Sequence, residues 1–360
     1  MEIPRPTSTV SALSLQFFKK AAHAAALHYP KVFLIVLLVL LLLPLVLFDF
    51  AKPAFTEFDR NYWGRKELTA AFSSFRYHIL GEKIYDLAVT GESNWLMYTG
   101  EFSLDDYQRT KPLTQDQLLL MQQRLDSLEA YLHSQSIRLV VVIVPNKNTI
   151  YPEKMPKTIP ILGEQSRLDQ LLDYMDAHGR VKLLDLRPAM LAVKPERMVY
   201  YPTDTHWNPH GAFIAYQQIL NALEPDFPLI KPYSLDDFEF VPEPAAEGDL
   251  SVLTQTRVED ALYSLKPRFQ TEFSIRKMTD ASGVNYIYSA HPNQALPRMV
   301  MYHDSFSLWL YPILSNHFSR GVYIWSPHVD KAFIAEEDPD IVVVEIAERY
   351  LEHIYNLPAE

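Results

Sequence analysis

The sequence predicts a three-layer α/β domain with a mostly parallel sheet, preceded by one N-terminal transmembrane helix. Three observations carry that expectation. The run Leu139–Val144 is continuous and β-branched, as a strand covered on both faces requires. Similar runs alternate with stretches of helical periodicity along most of the chain, the order that builds a parallel sheet between layers of helices. Val32–Phe48, VFLIVLLVLLLLPLVLF, is an unbroken apolar run between Lys31 and Asp49.

Composition narrows the function classes. The chain has 360 residues, enough for one large core. It carries 21 Tyr, 19 Phe and 5 Trp against only 10 Gly, with no low-complexity segment, which is the composition of a folded protein. A formal net charge of -11, with no run of Lys and Arg past the first few dozen residues, excludes nucleic acid, which needs a basic groove to release counterions. Cysteine is absent, so disulfides, thiolate metal sites and a cysteine nucleophile are excluded, and compartment has to be read elsewhere.

The apolar run supplies it. At about 1.5 Å per residue it reaches the lower limit for crossing the hydrocarbon core, and Pro44 near its outer end is tolerated in a membrane helix. Arg5, Lys19, Lys20 and Lys31 precede it, while Asp49, Glu57 and Asp59 offset Lys52 and Arg60 after it. The positive-inside rule then keeps the N-terminus in the cytoplasm and exports the rest. A cleaved signal peptide is the alternative, disfavoured by the long leading segment and by the lack of an A-x-A site in DFAKPAF. The expected organisation is a cytoplasmic segment at 1–31, an anchor at 32–48, a juxtamembrane connector at 49–80 and the main domain at 81–360. A short helix is expected at Ala70–Leu80.

Within the main domain, Gly91–Glu101 mixes aromatics with turn formers and reads as a strand or hairpin edge. Thr114 and Gln117 form a capping box, followed by Leu118, Met121, Leu125, Leu128 and Leu132 at helical spacing. Strand Leu139–Val144 ends at Pro145. A helix is expected near Ser166–Ala177, a strand near Val181–Leu186, and a helix after Asn208, where Asn208 suits the N-cap and Pro209 the first turn. Asp226–Asn293 is irregular and reads as an insertion or lid. Order returns with strand Met299–Tyr302, helix Phe306–His317, strand Val322–Trp325 and strand Ile341–Glu345.

Reactive groups in such sheets gather beyond the carboxyl ends of the strands. Two places there combine chemistry-bearing residues. In YPTDTHWN, Asp204 and His206 stand two apart, and on an extended backbone that spacing sets their Cα atoms about 6.5 Å apart on one side, within reach of a carboxylate–imidazole bond. In HDSF, Ser305 stands between an apolar strand and a helix start, where backbone N–H groups, including its own, and the helix dipole suit an oxyanion. The G-x-S-x-G pattern of a nucleophile elbow is absent. For each place a plain reading exists: Asp304 or Ser305 as an N-cap, Asp204 as a turn cap and His206 as a partly buried histidine.

Strand–helix alternation brings Ser305 and His206 to one sheet edge, where they and Asp204 can form a Ser-His-Asp relay. Histidine takes the serine proton during attack and returns it later, so the implied chemistry is acyl transfer. A metal site drawn from Asp204, His206, His210 and His303 is the weaker alternative, since no H-E-x-x-H pattern occurs. No Gly-rich phosphate loop exists, so no cofactor and no metal is expected. Lys147 in PNKNTIYPE, Trp207 and Tyr302 are the expected substrate contacts, Lys147 having a solvated loop lysine as its plain reading. Glu345, Glu348 and Arg349 are expected to form a structural charge cluster.

Five collinear segments carry a resemblance: NWLMYTGE, VIVPNKNTIYPE, TDTHWN, EGDLSVL and HDSF. They resemble the SGNH-hydrolase-like alginate O-acetyltransferases and related exopolysaccharide acetylation proteins. Asn94 and Met97 stand where that family usually has Gly and Phe, and His303 where it commonly has Gly. The resemblance implies an SGNH-hydrolase-like domain, Ser305 as nucleophile, His206 as base and Asp204 as orienting acid, the same assignment reached from the residues. It further implies a polysaccharide acceptor and a membrane-bound O-acyltransferase as acetyl donor, and with the anchor at 32–48 the expected location is the bacterial inner membrane, single-pass, with the catalytic domain in the periplasm or outside the cell. A carbohydrate acetyl-esterase with the same triad, and a non-catalytic scaffold of a polysaccharide export complex, are the rival readings.

Overall fold

The computed structural model describes residues 85–279 and 283–359, together with Leu38 and Val39. The expected anchor, connector and Ala70–Leu80 helix otherwise lie outside the described residues, among which no helix is long and apolar enough to cross a membrane. Strands β1 (Ala88–Thr90) and β2 (Leu96–Tyr98) pair antiparallel across a turn, the hairpin expected around Gly91–Glu101. Helix α1 (Gln115–Ser134) buries Leu118, Met121, Leu125, Leu128 and Leu132. Its capping box is complete, the Thr114 hydroxyl accepting from the Gln117 N–H and the Gln117 side chain from the Thr114 N–H.

Next come β3 (Arg138–Val144), α2 (Arg167–His178) capped by Ser166, β4 (Leu183–Asp185) and α3 (Pro209–Leu223). The segment expected to be an irregular insertion is more ordered than that. It holds β5 (Phe238–Pro242), β6 (Ala246–Glu247), α4 (Asp249–Thr254), β7 (Glu259–Asp260) and β8 (Tyr263–Pro267), paired β5 with β8 and β6 with β7. It ends in β9 (Ser274–Thr279) and β10 (Asn285–Ala290). The chain closes with β11 (Arg298–His303), β12 (Arg320–Trp325), α5 (Lys331–Glu337) and β13 (Ile341–Ala347).

The main sheet has the order β4-β3-β13-β11-β12-β10-β9. Its first five strands run parallel, whereas β10 and β9 add antiparallel to the edge of β12. The sheet is therefore mixed rather than mostly parallel. Every residue of β9 is exposed, and its Ile, Arg, Lys and Met follow no apolar alternation. Charges on an edge strand guard it against further pairing, and they also erase the periodicity by which a sequence announces a strand.

Alternate residues of β3 face opposite ways. Val140, Val142 and Val144 pack with α3, while Leu139, Val141 and Ile143 pack with α1 and α2. Side chains of a strand alternate by geometry, so a continuous apolar run yields helices on both faces and three layers.

The expected helix Phe306–His317 is instead a 3₁₀ turn at Ser305–Trp309, a single α turn at Tyr311–Leu314 and a second 3₁₀ turn at Ser315–His317. Pro312 is the cause, since it has no N–H to give and its ring meets the carbonyl four residues back. With five parallel strands, the ends of β3, β11, β12 and β13 share one rim, which is where the chemistry gathers.

Leu128 is fully buried and Ile275 lies on exposed β9. Leu128→Ala is expected to lower unfolding free energy by about 2–5 kcal/mol, read from the urea midpoint. Ile275→Ala should stay within about 0.5 kcal/mol of the parent.

Candidate active site

The chain turns sharply where β11 ends. Asp304 is the N-cap of the following 3₁₀ turn: one carboxylate oxygen accepts from the Phe306 N–H at 2.9 Å and the other from the Ala347 N–H, at the end of β13, at 3.0 Å. Capping by Asp304 takes the Phe306 amide and leaves Ser305 with both its hydroxyl and its own N–H at the rim. The Ser305 Oγ lies 2.7 Å from His206 Nε2. Behind the ring, Asp204 Oδ1 is 2.8 Å from His206 Nδ1 and also accepts the His206 backbone N–H at 2.8 Å. One carboxylate oxygen thus fixes both the ring and the peptide that carries it. In the neutral ring, Nδ1–H donates to Asp204 and Nε2 accepts the serine proton.

The histidine loop is held from several sides. Asn208 caps α3, its side chain accepting from the His210 and Gly211 N–H groups at 3.0 and 3.1 Å, and Pro209 opens the helix as expected. Trp207 is fully buried. Its indole N–H donates to the Phe306 carbonyl at 3.1 Å, and its ring meets Phe306 edge-on at 5.1 Å. Trp207, expected as a substrate contact, therefore ties the residue after His206 to the residue after Ser305.

Lys147, expected as a substrate contact, is not the solvated loop lysine of the plain reading. It is 3% exposed, and its ammonium donates to the carbonyls of Tyr201, Pro202 and Asp204 at 3.2, 3.1 and 2.6 Å. Burial lowers its pKa to about 8, against the opposing pull of Asp249, Asp204 and Asp260. A buried cation with three carbonyl partners is a clamp on the loop that carries Asp204. Tyr302 is buried too, its hydroxyl donating to the Asp330 carbonyl at 3.2 Å, although its side lines a cleft beside Ser305.

Asp249 is the residue the sequence reading missed. It opens α4 and brings a second carboxylate to 3.4 Å from His206 Nδ1. It accepts the Thr205 N–H at 2.6 Å and the Thr205 hydroxyl, while its own N–H donates to Asp204 Oδ2 at 3.1 Å. Gly248 makes this approach possible, because a Cβ there would lie 2.4 Å from the Thr203 carbonyl oxygen. The segment EGDLSVL was visible in the sequence as a motif, yet nothing local linked it to a residue more than forty positions earlier.

Electrostatics follow from these contacts. Burial alone would push His206 down, but the hydrogen bonds and charges of Asp204 and Asp249 outweigh it and raise the imidazole to about 9. Burial would raise Asp204, but His206 and the Asp249 amide hold it at about 2. Beneath the serine turn, burial and the Asp304 charge push the Glu345 carboxyl well above its usual range, while one of its oxygens accepts from the Asp304 N–H at 3.1 Å and the Ser307 hydroxyl at 2.9 Å. Arg349, expected as part of a structural cluster, is buried yet lines the cleft beside Ser305 and His206. It lies 3.6 Å from a Glu101 oxygen and stacks 5.1 Å from the Phe306 ring. Glu348 belongs elsewhere, accepting from the Asn146 N–H and the Thr149 hydroxyl, both at 2.7 Å.

His210 and His303 stay apart from this constellation. His210 bonds Tyr263 and Arg197 through its two nitrogens, and His303 Nδ1 donates to the Asp304 carbonyl at 2.6 Å. Asp204, His206 and Asp249 offer ligand atoms within 4.8 Å of one another, the spacing a cation would need. Both nitrogens of His206 are already engaged there, one by a carboxylate and one by a hydroxyl.

A family model described as SGNH hydrolase-like domain, acetyltransferase AlgX, matches residues 88–317. Among curated relatives, a probable alginate O-acetylase AlgJ of Pseudomonas syringae pv. tomato is 30% identical over 178 residues, 49% of this chain and 44% of the relative. The corresponding protein of Pseudomonas fluorescens is 26% identical over 274 residues, 67% of this chain and 63% of the relative. The chain thus spans between about two fifths and two thirds of the length of these relatives. Among solved structures, PatB1 of Bacillus cereus, determined with a sulfonyl adduct, superposes with a TM-score of 0.57 at 16% identity, covering 75% of this chain and 99% of that one. A DHHW family protein of Eubacterium siraeum superposes with a TM-score of 0.56 at 13% identity, covering 76% of this chain and 95% of that one. These two likenesses are of fold.

The two carboxylates on His206 make a measurable difference. Ring-proton NMR titration of the parent should find His206 titrating near 9. Asp249→Asn removes one anion that favours the imidazolium, so the inflection should move to lower pH. An unchanged inflection would mean Asp249 does not act on the ring.

Proposed function

The chain belongs to the family of SGNH hydrolase-like acetyltransferase domains of the AlgX type, and on that premise we propose that it is an O-acetyltransferase acting on a polysaccharide through an acetyl-Ser305 intermediate. The observation that carries the reading is the hydrogen-bonded series Ser305–His206–Asp204 at the open rim of the sheet. Relatives named alginate O-acetylase support the acceptor class.

In the first half-reaction, neutral His206 Nε2 takes the Ser305 proton as Oγ attacks the acyl carbon of the donor ester. The Oγ–C bond forms, and the carbonyl oxygen becomes an oxyanion within reach of the Ser305 N–H. Collapse breaks the bond to the donor oxygen, which receives the proton back from His206. In the second half-reaction a sugar hydroxyl gives its proton to His206 and attacks the acetyl carbon. The Oγ–C bond then breaks, and Ser305 recovers its proton. Asp204 stays ionised throughout, orienting the ring and stabilising the imidazolium.

The donor is proposed to be an acetyl ester presented outside the cytoplasm by a membrane-bound O-acyltransferase. The run 32–48 is proposed as the anchor that keeps the domain beside it. Because His206 must be neutral to act, acylation should quicken as pH rises toward about 9.

The test supplies the full-length protein with a small acetyl ester and an acidic oligosaccharide, and follows acetylated sugar and free acetate by mass spectrometry. Transfer should exceed hydrolysis, and Ser305→Ala should lower both by about three orders of magnitude or more. Acetate without acetylated sugar would make the protein an esterase. An unimpaired Ser305→Ala variant would leave only a scaffold role.

A further inference from the structure

Ser305 stands where two clefts meet. The first is walled by His206, Thr205, Asp249, Leu253, Arg349 and Tyr350, with a volume of about 300 Å³. The second, about 290 Å³, lies on the other side of Ser305 and Tyr350, between Tyr302, Val344, Ile346, Ser326 and the rim residue Trp325. His303 and His353 line the second, and only the first has the His206 imidazole in its wall. Resting on the acyl-transfer reading above, we propose that the first cleft takes both alcohols of the reaction in turn and that the second holds the acyl chain, with room for acyl groups longer than acetyl.

The argument is one of geometry at a tetrahedral carbon. The intermediate carries four substituents: Ser305 Oγ, the oxyanion, the alcohol oxygen and the acyl chain. His206 Nε2 delivers a proton to the leaving alcohol and later takes one from the entering alcohol, so by reversibility both alcohols occupy the imidazole side. The acyl chain is then directed away from His206, toward the second cleft.

Its lining suits such an occupant. Tyr302, Val344 and Ile346 give it an apolar wall beside the nucleophile, and Asp304, Glu345 and His353 form its polar part. Size is the informative quantity, because a water-sized group such as a methyl needs only about 10–15 Å³ on a comparable measure. An acetyl methyl would leave most of the second cleft unfilled. The first cleft, with Arg349, Asp249 and the His206 imidazole in its wall, offers a hydroxylated acceptor hydrogen-bonding partners beside the base.

The experiment uses the full-length protein with 4-nitrophenyl acetate, butyrate and hexanoate. It reads the nitrophenol burst together with the intact mass of the acylated protein. Wild type should be acylated on Ser305 by butyrate within about tenfold of the acetate rate. Ser326→Phe, a half-buried loop position in the second cleft and outside the hydrogen-bonded relay, should lose butyrate and hexanoate at least tenfold more than acetate, with acetate turnover serving as the folding control. Acetylation of wild type with no butyrylation would overturn the assignment of the second cleft and leave acetyl transfer standing. Equal loss of all three esters in Ser326→Phe would overturn it also. Failure of every ester to acylate Ser305 would overturn both this inference and the reading beneath it.

Discussion

The hydrogen bond from the Trp207 indole to the Phe306 carbonyl is the constraint on which the site depends. Serine and histidine arrive on loops almost a hundred residues apart, and a relay works only if their separation is fixed to a few tenths of an ångström. A rigid ring beside one group, bonded to the backbone beside the other, fixes that distance with few soft torsions. Phe306 completes the arrangement, lying 4.8 Å from the His206 ring and 5.1 Å from the Trp207 ring. On the far side of the loop the Lys147 ammonium gathers three carbonyls that would otherwise face each other without a donor. Both residues bond the backbone of the loops that carry Asp204, His206 and Ser305.

Charge at this rim is concentrated and partly buried. Asp204 and Asp249 face the imidazole, Asp304 caps the serine turn and Glu345 lies under it, with Arg349 close by. Burying charge is expensive unless hydrogen bonds and opposite charges compensate, and a buried ion pair is seldom a net source of stability. The carboxylates are compensated in different ways. Asp204 and Asp304 collect backbone N–H donors, whereas Glu345 is pushed toward its neutral form. The two apolar faces of the sheet supply the burial that stabilises the domain, and these groups order the Ser305 and His206 side chains at its rim.

Much of this was legible in the sequence. The run Leu139–Val144 announced a strand buried on both faces, Thr114 with Gln117 announced a helix start, and Asn208-Pro209 announced another. Asp204 and His206 were readable as a pair because their spacing is local, and Ser305 because it sits at a strand-to-turn junction. What escaped was non-local or masked. Asp249 reaches His206 only through the packing of α4 on the 203–206 loop, for which no periodicity gives notice. β9 and β10 were hidden because edge and partly exposed strands lack an apolar rhythm. The helix expected from Phe306 onward is broken at Pro312, which has no N–H to give to a continuous helix. The burial of Lys147 and Trp207 was not legible, because packing, not residue type, decides whether a polar side chain meets solvent or the protein's own backbone.

Gly248 shows how far an absent atom can act. The backbone there passes so near the Thr203 carbonyl that even one carbon would force the strands of the loop apart. Asp249 is the next residue, and its carboxylate is one of two that raise the proton affinity of His206. The basicity of the imidazole is thus governed in part by steric vacancy at a neighbouring segment. A variant with any side chain at 248 would alter the acid–base character of a ring it never touches.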